Sequence, residues 1–564
     1  MHAKIPLFCL ITILFSGLVI SACNGGNGAG SNDELTELLL VGDIVNCGTG
    51  EFGEVSFVSS CSEEVSDTFE LAMALLHSFE YDEAEKAFAK VIRKDPDCAM
   101  AYWGVAMSNL HMLWRPPTEA SLIKGERAIE AARKNMGDYR KERLYIEAMA
   151  AFYKDWRTTD HQTRIKRYED AMAAIYERFP EDKEAAVFYA LSLNATAAPE
   201  DKNYRNQRKA VAILESLFPD QPNHPGIAHY LIHNCDNPVM AENALDAARR
   251  YAQIAPSSAH AQHMPSHIFT RLGLWQESIA SNLQATAAAR CYAEQSGMSG
   301  DWDEGIHCTD YLVYAYLQTG QSGRAKALVD YMSDTLEKIV PVGVKGAYPT
   351  AAIPARYALE LRLWDRAAAL EMASSDYPED QFPWSNGVIR FARVLGAVHT
   401  NDLDAANDDL DRLRQCHASL VQRDDPYLAN QVLIMLKAAE AWIAHARGES
   451  SLALELMTES AALENATEKQ PLTPGEVLPA QELLGDLLLA TGHPVEALEA
   501  YQLDLQLRPG RFNALYGAFS SAVVAGQSAD AQAYARALVQ LTQNAPTDRP
   551  EMVEVRAYIG QSGD

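Results

Sequence analysis

The chain has 564 residues, of which 48% are hydrophobic and 22% are charged, with 32 Gly and 25 Pro. This is the composition of a globular protein, and it excludes a disordered or collagen-like chain. Acidic residues number 76 against 48 basic ones, so the formal net charge is −28. Such a charge repels nucleic acid and anionic lipid headgroups, so we expect no nucleic acid partner.

The first residues have the layout of an export signal. An apolar run from Ile5 to Ile20 follows Lys4, and it is too short for a membrane span. The next residues complete the sequence Ile20-Ser21-Ala22-Cys23, which resembles a bacterial lipobox. That resemblance implies cleavage after residue 22 and a lipid on the Cys23 thiol. The sequence therefore predicts a lipoprotein signal peptide over 1–22 and a flexible tether rich in Gly and Asn over 23–34.

The predicted anchor also indicates a location. No later stretch is apolar and long enough to span a bilayer, so we expect the lipid on Cys23 to attach the chain to the membrane. Asn follows Cys23, and in lipoproteins of the enterobacterial type this resembles cargo sent to the outer membrane rather than retained at the inner one. We expect a cell-envelope protein, at the outer membrane rather than the inner one.

The segment over 35–61 differs from the rest of the chain. Leu38–Ser59 is the only strand-like stretch, so we expect an irregular or β-containing segment here. Export permits disulfides, and the cysteines closest in sequence are the candidates: Cys47 with Cys61, and Cys291 with Cys308. Spacing does not determine the pairing, and the odd number of cysteines beyond Cys23 leaves at least one thiol unpaired.

From residue 62 onward the pattern is helical and repetitive. One unit has small and large residues and a proline at Leu71, Ala72, Leu75, Ala84, Phe88 and Pro96. The same spacing returns at Leu484, Gly485, Leu488, Ala497, Tyr501 and Pro509. Small residues let two antiparallel helices approach, large ones fill the layer, and the proline ends the second helix. The pattern predicts an all-α solenoid of helix pairs.

This spacing resembles that of tetratricopeptide repeat (TPR) proteins, with degenerate copies over most of residues 62–560. The stretches from His229 to His233 and from His263 to Gly273 are also similar to bacterial TPR lipoproteins of uncharacterised activity. The resemblance implies a superhelix with a long concave surface and says little about chemistry. Insertions at 291–303 and 335–352 interrupt the repeats, so we expect an N-terminal lobe over 62–300 and a C-terminal lobe over 301–564.

The histidines follow the repeat. His229 and His263 lie 34 residues apart, as do His233 and His267, and 34 is the repeat period. Pairs three or four residues apart share a helical face. In TPR proteins the second, fifth and ninth positions of the first helix line the groove. That phasing predicts one patch from three successive units, made of His229, His233, His260, His263, His267, His307, Asp310 and Tyr314, with Arg271 near its end.

Three interpretations of this patch stay open. Imidazoles four apart can hold Zn or Cu, with Asp310 as a ligand or an outer acceptor, and an open position would permit metal-assisted hydrolysis. A metal-free patch could instead use the histidines, Arg271 and Tyr314 to bind a carboxylate-bearing peptide or small anion. The third interpretation is packing alone, which fits His77 and His111 better.

The function predicted from the sequence is a lipid-anchored envelope protein that binds a protein or peptide partner through its concave groove. The alternative is a Zn- or Cu-binding protein or a metal-dependent hydrolase that uses the histidine patch. The pattern favours a binding module over an enzyme, because the usual nucleotide and hydrolase motifs are absent. Gly48–Gly53 matches a dinucleotide-binding fingerprint by letter alone, since no strand–turn–helix unit surrounds it.

Overall fold

The structure is a computed structural model that describes residues 35–561 apart from 114, 115, 200, 335, 337, 373, 375, 470, 545 and 548. The predicted signal peptide, the lipidation of Cys23 and the whole predicted tether lie outside the described residues. About 70% of the chain is helical, as the repeat pattern predicts. Among the residues that the structure describes, no helix is long and apolar enough to cross a bilayer.

The N-terminal half is built from thirteen α-helices in the described chain. They are α1 Ser66–His77, α2 Tyr81–Lys94, α3 Ala99–Ser108, α4 Glu119–Asn135, α5 Arg140–Tyr153, α6 His161–Arg178, α7 Lys183–Ala195, α8 Arg205–Leu217, α9 Pro225–Cys235, α10 Leu245–Ile254, α11 Ala259–His263, α12 Pro265–Arg271 and α13 Trp275–Gln295. Short 3-10 helices lie at Glu63–Val65 and Ala241–Ala244. Pro265 at the start of α12 interrupts what is otherwise one first helix, because proline has no backbone N–H to donate.

The C-terminal half continues in the same way. Its helices are α14 Asp303–Gln318, α15 Ser322–Asp334, α16 Val344–Glu360, α17 Trp364–Ala368, α18 Pro383–His399, α19 Leu403–Gln422, α20 Pro426–Ala446, α21 Ser450–Ala466, α22 Ala480–Ala490, α23 Pro494–Leu507, α24 Phe512–Val524, α25 Ser528–Leu541 and α26 Glu551–Gln561. The strands of the described chain are two short ones, β1 Asp301–Trp302 and β2 Ile339–Val340, which pair in parallel. Both belong to the stretches predicted to interrupt the repeats.

Consecutive helices pack as antiparallel pairs, and the small residues of the repeat do what the pattern predicts. Gly104 of α3 lies against the ring of Phe88 on α2, where an added Cβ would come within 2.4 Å of that ring. Gly485 of α22 lies against Tyr501 of α23, at 2.7 Å by the same measure. The close approach buries Phe88 and Tyr501 almost completely. The chain is therefore an all-α, TPR-like solenoid whose core runs along the stacked pairs.

The N-terminal segment over Leu38–Ser59 is irregular, which is one of the two forms expected for it, and the described residues of this range contain no strand. Its backbone pairs with side chains of the helical body rather than with another strand. The N–H of Leu40 donates to a Glu85 carboxylate oxygen at 2.8 Å, and the N–H of Val45 donates to Glu83 at 2.9 Å. Carboxylates on α2 thus take the place of a strand partner.

The disulfides join this segment to the body, and both predicted pairs are wrong. Cys47 pairs with Cys291 and Cys61 pairs with Cys98, with Cα–Cα distances of 5.8 and 4.7 Å. The superhelix carries the end of α13 to the segment, which closeness in sequence does not reveal. Among the described residues the free, buried thiols are those of Cys235, Cys308 and Cys416.

The end of the array returns to its middle. The indole N–H of Trp275 donates to the carbonyl of Gly510 at 2.9 Å, and the backbone N–H of Phe512 donates to Gln318 at 2.9 Å. Asn513 donates to the Glu360 carboxylate at 2.9 Å. The superhelix therefore turns back on itself and brings α24 against α14.

The interior of this turn is filled by the chain itself. The stretch 467–479 between α21 and α22, called the inner segment below, has carbonyls that accept hydrogen bonds from helices on opposite sides. Tyr311 donates to the carbonyl of Thr473 at 2.9 Å, and Arg356 donates to the carbonyl of Gly475 at 3.0 Å. Lys469 forms an ion pair with Asp236 at 3.0 Å. The concave face along these helices is thus an internal contact surface rather than an open groove.

Candidate metal centre

Three neighbouring units bring six histidines together in the interior. The helix α9 carries His229 and His233, four residues apart on one face. The interrupted helix α11–α12 carries His260, His263 and His267, and α14 carries His307. These are the first helices of consecutive pairs, stacked side by side, so side chains in equivalent positions converge.

The first triad consists of His229, His233 and His260. The Nε2 atom of His229 lies 3.1 Å from Nε2 of His233 and 3.2 Å from Nε2 of His260. His229 is fully buried and His260 is 5% exposed. The ring of Phe79, which sits at a positive φ of 58° just after α1, packs against His229 with centroids 4.4 Å apart.

The second triad consists of His263, His267 and His307. The Nε2 atoms of His263 and His267 lie 3.1 Å apart, and the His307 ring lies 4.4 Å from the His263 ring between centroids. Both ring nitrogens of His307 are buried and have no hydrogen-bond partner among the described residues. The Tyr311 ring closes this side, 4.8 Å from His263 between centroids.

Outer hydrogen bonds determine where the protons of the first triad lie. Nδ1 of His229 is 2.7 Å from the backbone carbonyl of His77, and Nδ1 of His260 is 3.0 Å from the Glu304 carboxylate. A carbonyl and an ionised carboxylate only accept, so both Nδ1 atoms carry the hydrogen. Burial lowers the pKa of His229 well below its usual value, with a further contribution from His233 and His260, so its ring is neutral. Its Nε2 therefore presents a lone pair.

The second triad is arranged in the same way. Nδ1 of His263 donates to the side-chain oxygen of Asn282 at 2.7 Å, while the Asn282 amide donates to a backbone carbonyl. Nδ1 of His267 donates to Asp236 at 2.9 Å. Burial lowers the pKa of His263, His267 and His307, so these rings are neutral. Lone pairs on Nε2 of His263 and His267 thus face each other.

Facing lone pairs repel unless a cation lies between them. Three imidazole nitrogens bound tetrahedrally to Zn at about 2.0–2.1 Å are about 3.3 Å apart. The separations of 3.1 and 3.2 Å in the triads match this spacing. Outer acceptors on Nδ1 orient the rings and raise their basicity, as they do in metal-binding histidines. The grouping of three imidazoles in each triad fits a metal ion, as do the tautomers and outer partners of His229, His260, His263 and His267.

The outer carboxylates are themselves neutralised. Glu304 pairs with the Lys345 ammonium, which also lies 3.5 Å from Asp303. Asp236 accepts from Arg271 at 2.8 Å, in addition to Lys469. Burial of these ion pairs is stabilising only because each charge has a partner. The surroundings of the six histidines are therefore close to electrically balanced.

The predicted Asp310, Tyr314 and Arg271 take other roles. Asp310 is fully buried and pairs with Arg356 at 3.2 Å rather than with a histidine, so its expected place beside the metal is wrong. Tyr314 is buried and accepts from Arg511 at 2.8 Å. Arg271 is held by Asp236. None of the three lines an open groove, because the C-terminal pairs and the inner segment cover this face.

A further cluster shows what a closed histidine network looks like. His77, to which the sequence assigned only packing, lies 2.9 Å from Glu184 through Nε2, and its Nδ1 lies 3.0 Å from the Tyr230 hydroxyl. His224 binds the other Glu184 oxygen at 2.7 Å through Nε2, while its Nδ1 accepts from the N–H of Ile227. Every ring nitrogen here has a complementary partner. The hydrogen bonds of this cluster are complete among its own residues, whereas the facing Nε2 atoms of the two triads have no donor between them.

The sequence signal for the triads was the repeat spacing, and it identified all six histidines. The outer partners carried no comparable signal. Glu304 precedes the histidine of its own helix by three residues and could have been noticed, but it binds a histidine of another helix. Asp236 and Asn282 lie in a loop and on a second helix, so only the packing of the pairs reveals their role.

No family model matches the chain, and no curated protein matches it. Solved helical-repeat structures do match along its length. Human IFIT1, solved as a dimer with m7Gppp-AAAA, is 11% identical over 90% of this chain and 99% of that chain, with a TM-score of 0.36.

Two further structures match at a similar level. Cut9 in the Cut9–Hcn1 hetero-tetramer of the APC/C is 11% identical over 88% of this chain and 96% of that chain, with a TM-score of 0.26. The TPR domain of P58(IPK) is 13% identical over 88% of this chain and 99% of that chain, with a TM-score of 0.19. Sequence identities and TM-scores this low indicate a helical-repeat type of fold and carry no information on ligands.

Proposed function

We propose that this protein is a metal-binding protein whose six-histidine centre holds transition metal ions, zinc or copper. The observation that carries the proposal is the pair of buried imidazole triads, in which the unprotonated Nε2 atoms of His229 and His260 face each other at 3.2 Å and those of His263 and His267 at 3.1 Å. Imidazole suits both metals, and the absence of thiolates from the triads fits them equally. Burial of nearly every ring excludes a peptide or ester substrate and favours a small ligand.

Elemental analysis of the purified chain tests this proposal. We expect zinc or copper in stoichiometric amount, and loss of metal in the His229→Ala and His263→Ala variants. His399→Ala is the matched control, because this partly buried histidine stacks on Trp364 and belongs to neither triad. A purified chain that contains no metal and takes up neither zinc nor copper would overturn the proposal. Full metal content in both the His229→Ala and His263→Ala variants would also overturn it.

We further propose that the chain is anchored in the cell envelope through a lipid on Cys23, at the outer membrane rather than the inner one. The lipobox-like sequence and the Asn that follows Cys23 support this. Labelling cells with an alkyne-bearing fatty acid should mark the chain and leave Cys23→Ser unmarked. Separation of the inner and outer membranes on a density gradient shows which of the two carries the protein.

A protein or peptide partner in the envelope is the second candidate function. Solenoids of helix pairs offer an extended binding surface, although here the inner face is occupied by the inner segment. Exposed valines on the terminal pairs favour this end of the array, since Val524 is 66% exposed and Val553 is 74% exposed. Photo-crosslinking residues at these two positions should capture one discrete partner in cells. The same probe at exposed Tyr139 is the control, and capture there alone would contradict the assignment.

A further inference from the structure

The two triads are neighbours rather than independent sites. The His233 and His267 rings, which belong to different triads, have centroids 6.3 Å apart, and those of His260 and His263 are 6.5 Å apart. Within the first triad the His233 and His260 rings are also 6.3 Å apart. Since the separations between the triads are close to the longest ring separations inside them, ions in both triads would be neighbours.

We infer that the two triads bind a pair of copper(I) ions and that this pair takes up dioxygen as a bridging peroxide. This inference rests on the proposed metal-binding function and names the metal and its ligand. Three features carry it, namely the neutral ligand set, the balanced charge around it and the dry enclosure.

Charge favours two monovalent ions. All six ligands are imidazoles, and the triads contain no carboxylate that would offset ion charge. The outer carboxylates Glu304 and Asp236 are already paired with Lys345, Lys469 and Arg271. Two divalent ions would place four positive charges in a buried site with little compensation, which is costly at low dielectric. Copper is the imidazole-binding metal with an accessible monovalent state.

The uptake of dioxygen leaves the charge of the site unchanged. Each copper(I) gives one electron and becomes copper(II), and O2 accepts both electrons and becomes peroxide. Two copper–oxygen bonds or more form, the O–O bond is kept as a single bond, and no proton is needed. The total is two positive charges before and after the step. A buried centre that cannot exchange charge with water suits this reaction, and release of O2 reverses it.

The enclosure selects a small, uncharged ligand. Phe79 packs against the first triad and Tyr311 against the second, so each has an aromatic wall. His263, His267 and His307 are at most 1% exposed. The aromatic walls and the burial of the rings limit the access of bulk water and favour a ligand as small as a diatomic gas.

Anaerobic titration of the metal-stripped full chain with copper(I), followed by oxygen, tests the inference. We expect two copper ions per chain, uptake of one O2 per two copper ions on an oxygen electrode, and an oxygenated form without a copper(II) electron paramagnetic resonance signal because the two spins couple. Evacuation should return the O2. His307→Ala removes a ring with no hydrogen-bond partner, so it should fold normally, hold one copper ion and take up no O2.

His233→Ala should do the same from the first triad, and His399→Ala should behave like the parent chain. Circular dichroism verifies that each variant folds. Two bound copper ions without O2 uptake, or O2 uptake that survives both triad variants, would overturn this inference while leaving metal binding in place. Binding of zinc but not copper would also overturn it. A chain that binds no metal at all would instead refute the proposed function.

Discussion

Replacing Glu304 with glutamine isolates the role of an outer partner in the metal centre. Glu304 accepts from Nδ1 of His260 at 3.0 Å and pairs with the Lys345 ammonium. A glutamine oxygen can still accept from His260, so the ring keeps its place and tautomer. Lys345 keeps Asp303 at 3.5 Å, so its charge is not left without a partner. The change therefore removes the negative charge behind the ligand and little else.

The expected effect is on metal affinity. Loss of an outer partner of a metal-binding histidine costs about 10–100-fold in affinity. This corresponds to about 1.4–2.7 kcal/mol of binding free energy. Competition against a chromophoric chelator measures it, with zinc and copper in separate titrations. We expect the weakening at the first triad, because the ring that donates to Glu304 is that of His260, which belongs to that triad.

Glu184→Gln is the matched control for this change. Glu184 is also buried and accepts from two imidazoles, His77 and His224, but it stands behind no metal ligand. A glutamine there accepts from one ring and leaves the other N–H without its partner, which costs about 1–3 kcal/mol of unfolding free energy. Metal affinity should not change. Equal affinity in Glu304→Gln and the parent chain, or equal weakening in both variants, would refute the reasoning.

Three further predictions concern the fold that holds the centre. Gly485→Ala should lower the free energy of unfolding by about 1–3 kcal/mol in denaturant titrations, because its Cβ would come within 2.7 Å of the Tyr501 ring. Gly137→Ala is the control and should leave the free energy of unfolding unchanged, because no atom lies within 4 Å of the added Cβ. Lys469→Met removes one of the three partners of Asp236, so we expect faster proteolysis within the inner segment. Equal cleavage rates in the variant and the parent chain would show that this ion pair does not hold the segment. Among the described cysteines, alkylation of the unfolded, unreduced chain should modify Cys235, Cys308 and Cys416. The four cysteines of the two disulfides should react only after reduction, and their modification without reduction would contradict the pairing.

The sequence was sufficient for the fold class because helix pairing is encoded locally. Ala84 and Phe88, or Gly485 and Tyr501, lie within one repeat, and their small and large side chains specify the contact between two adjacent helices. For the segment over 38–59, the local pattern left an irregular and a β-containing form open. That segment has no local partner, and its structure depends on carboxylates and a cysteine of the body.

At the candidate metal centre, too, the sequence predicted some of the residues and misassigned others. The six histidines were predictable because residues four apart share a helical face and residues one repeat apart take equivalent places on successive first helices. Asp310 followed the same spacing and was misassigned. Its helix turns it toward Arg356, which comes from the next unit, and an ion pair with a buried guanidinium outweighs any interaction with neutral rings.

The sequence by itself therefore determined the features that recur with the repeat, namely the helix pairs, their order and the face on which the histidines lie. The tertiary structure decided what meets across the superhelical turn. The small rotation of each pair accumulates along the array, so Cys291 reaches Cys47, α24 reaches α14 and Lys469 reaches Asp236. Contacts between residues 194 to 244 positions apart have no local code, because they depend on the sum of many packing angles. The same sum places a carboxylate behind one histidine and Phe79 against another.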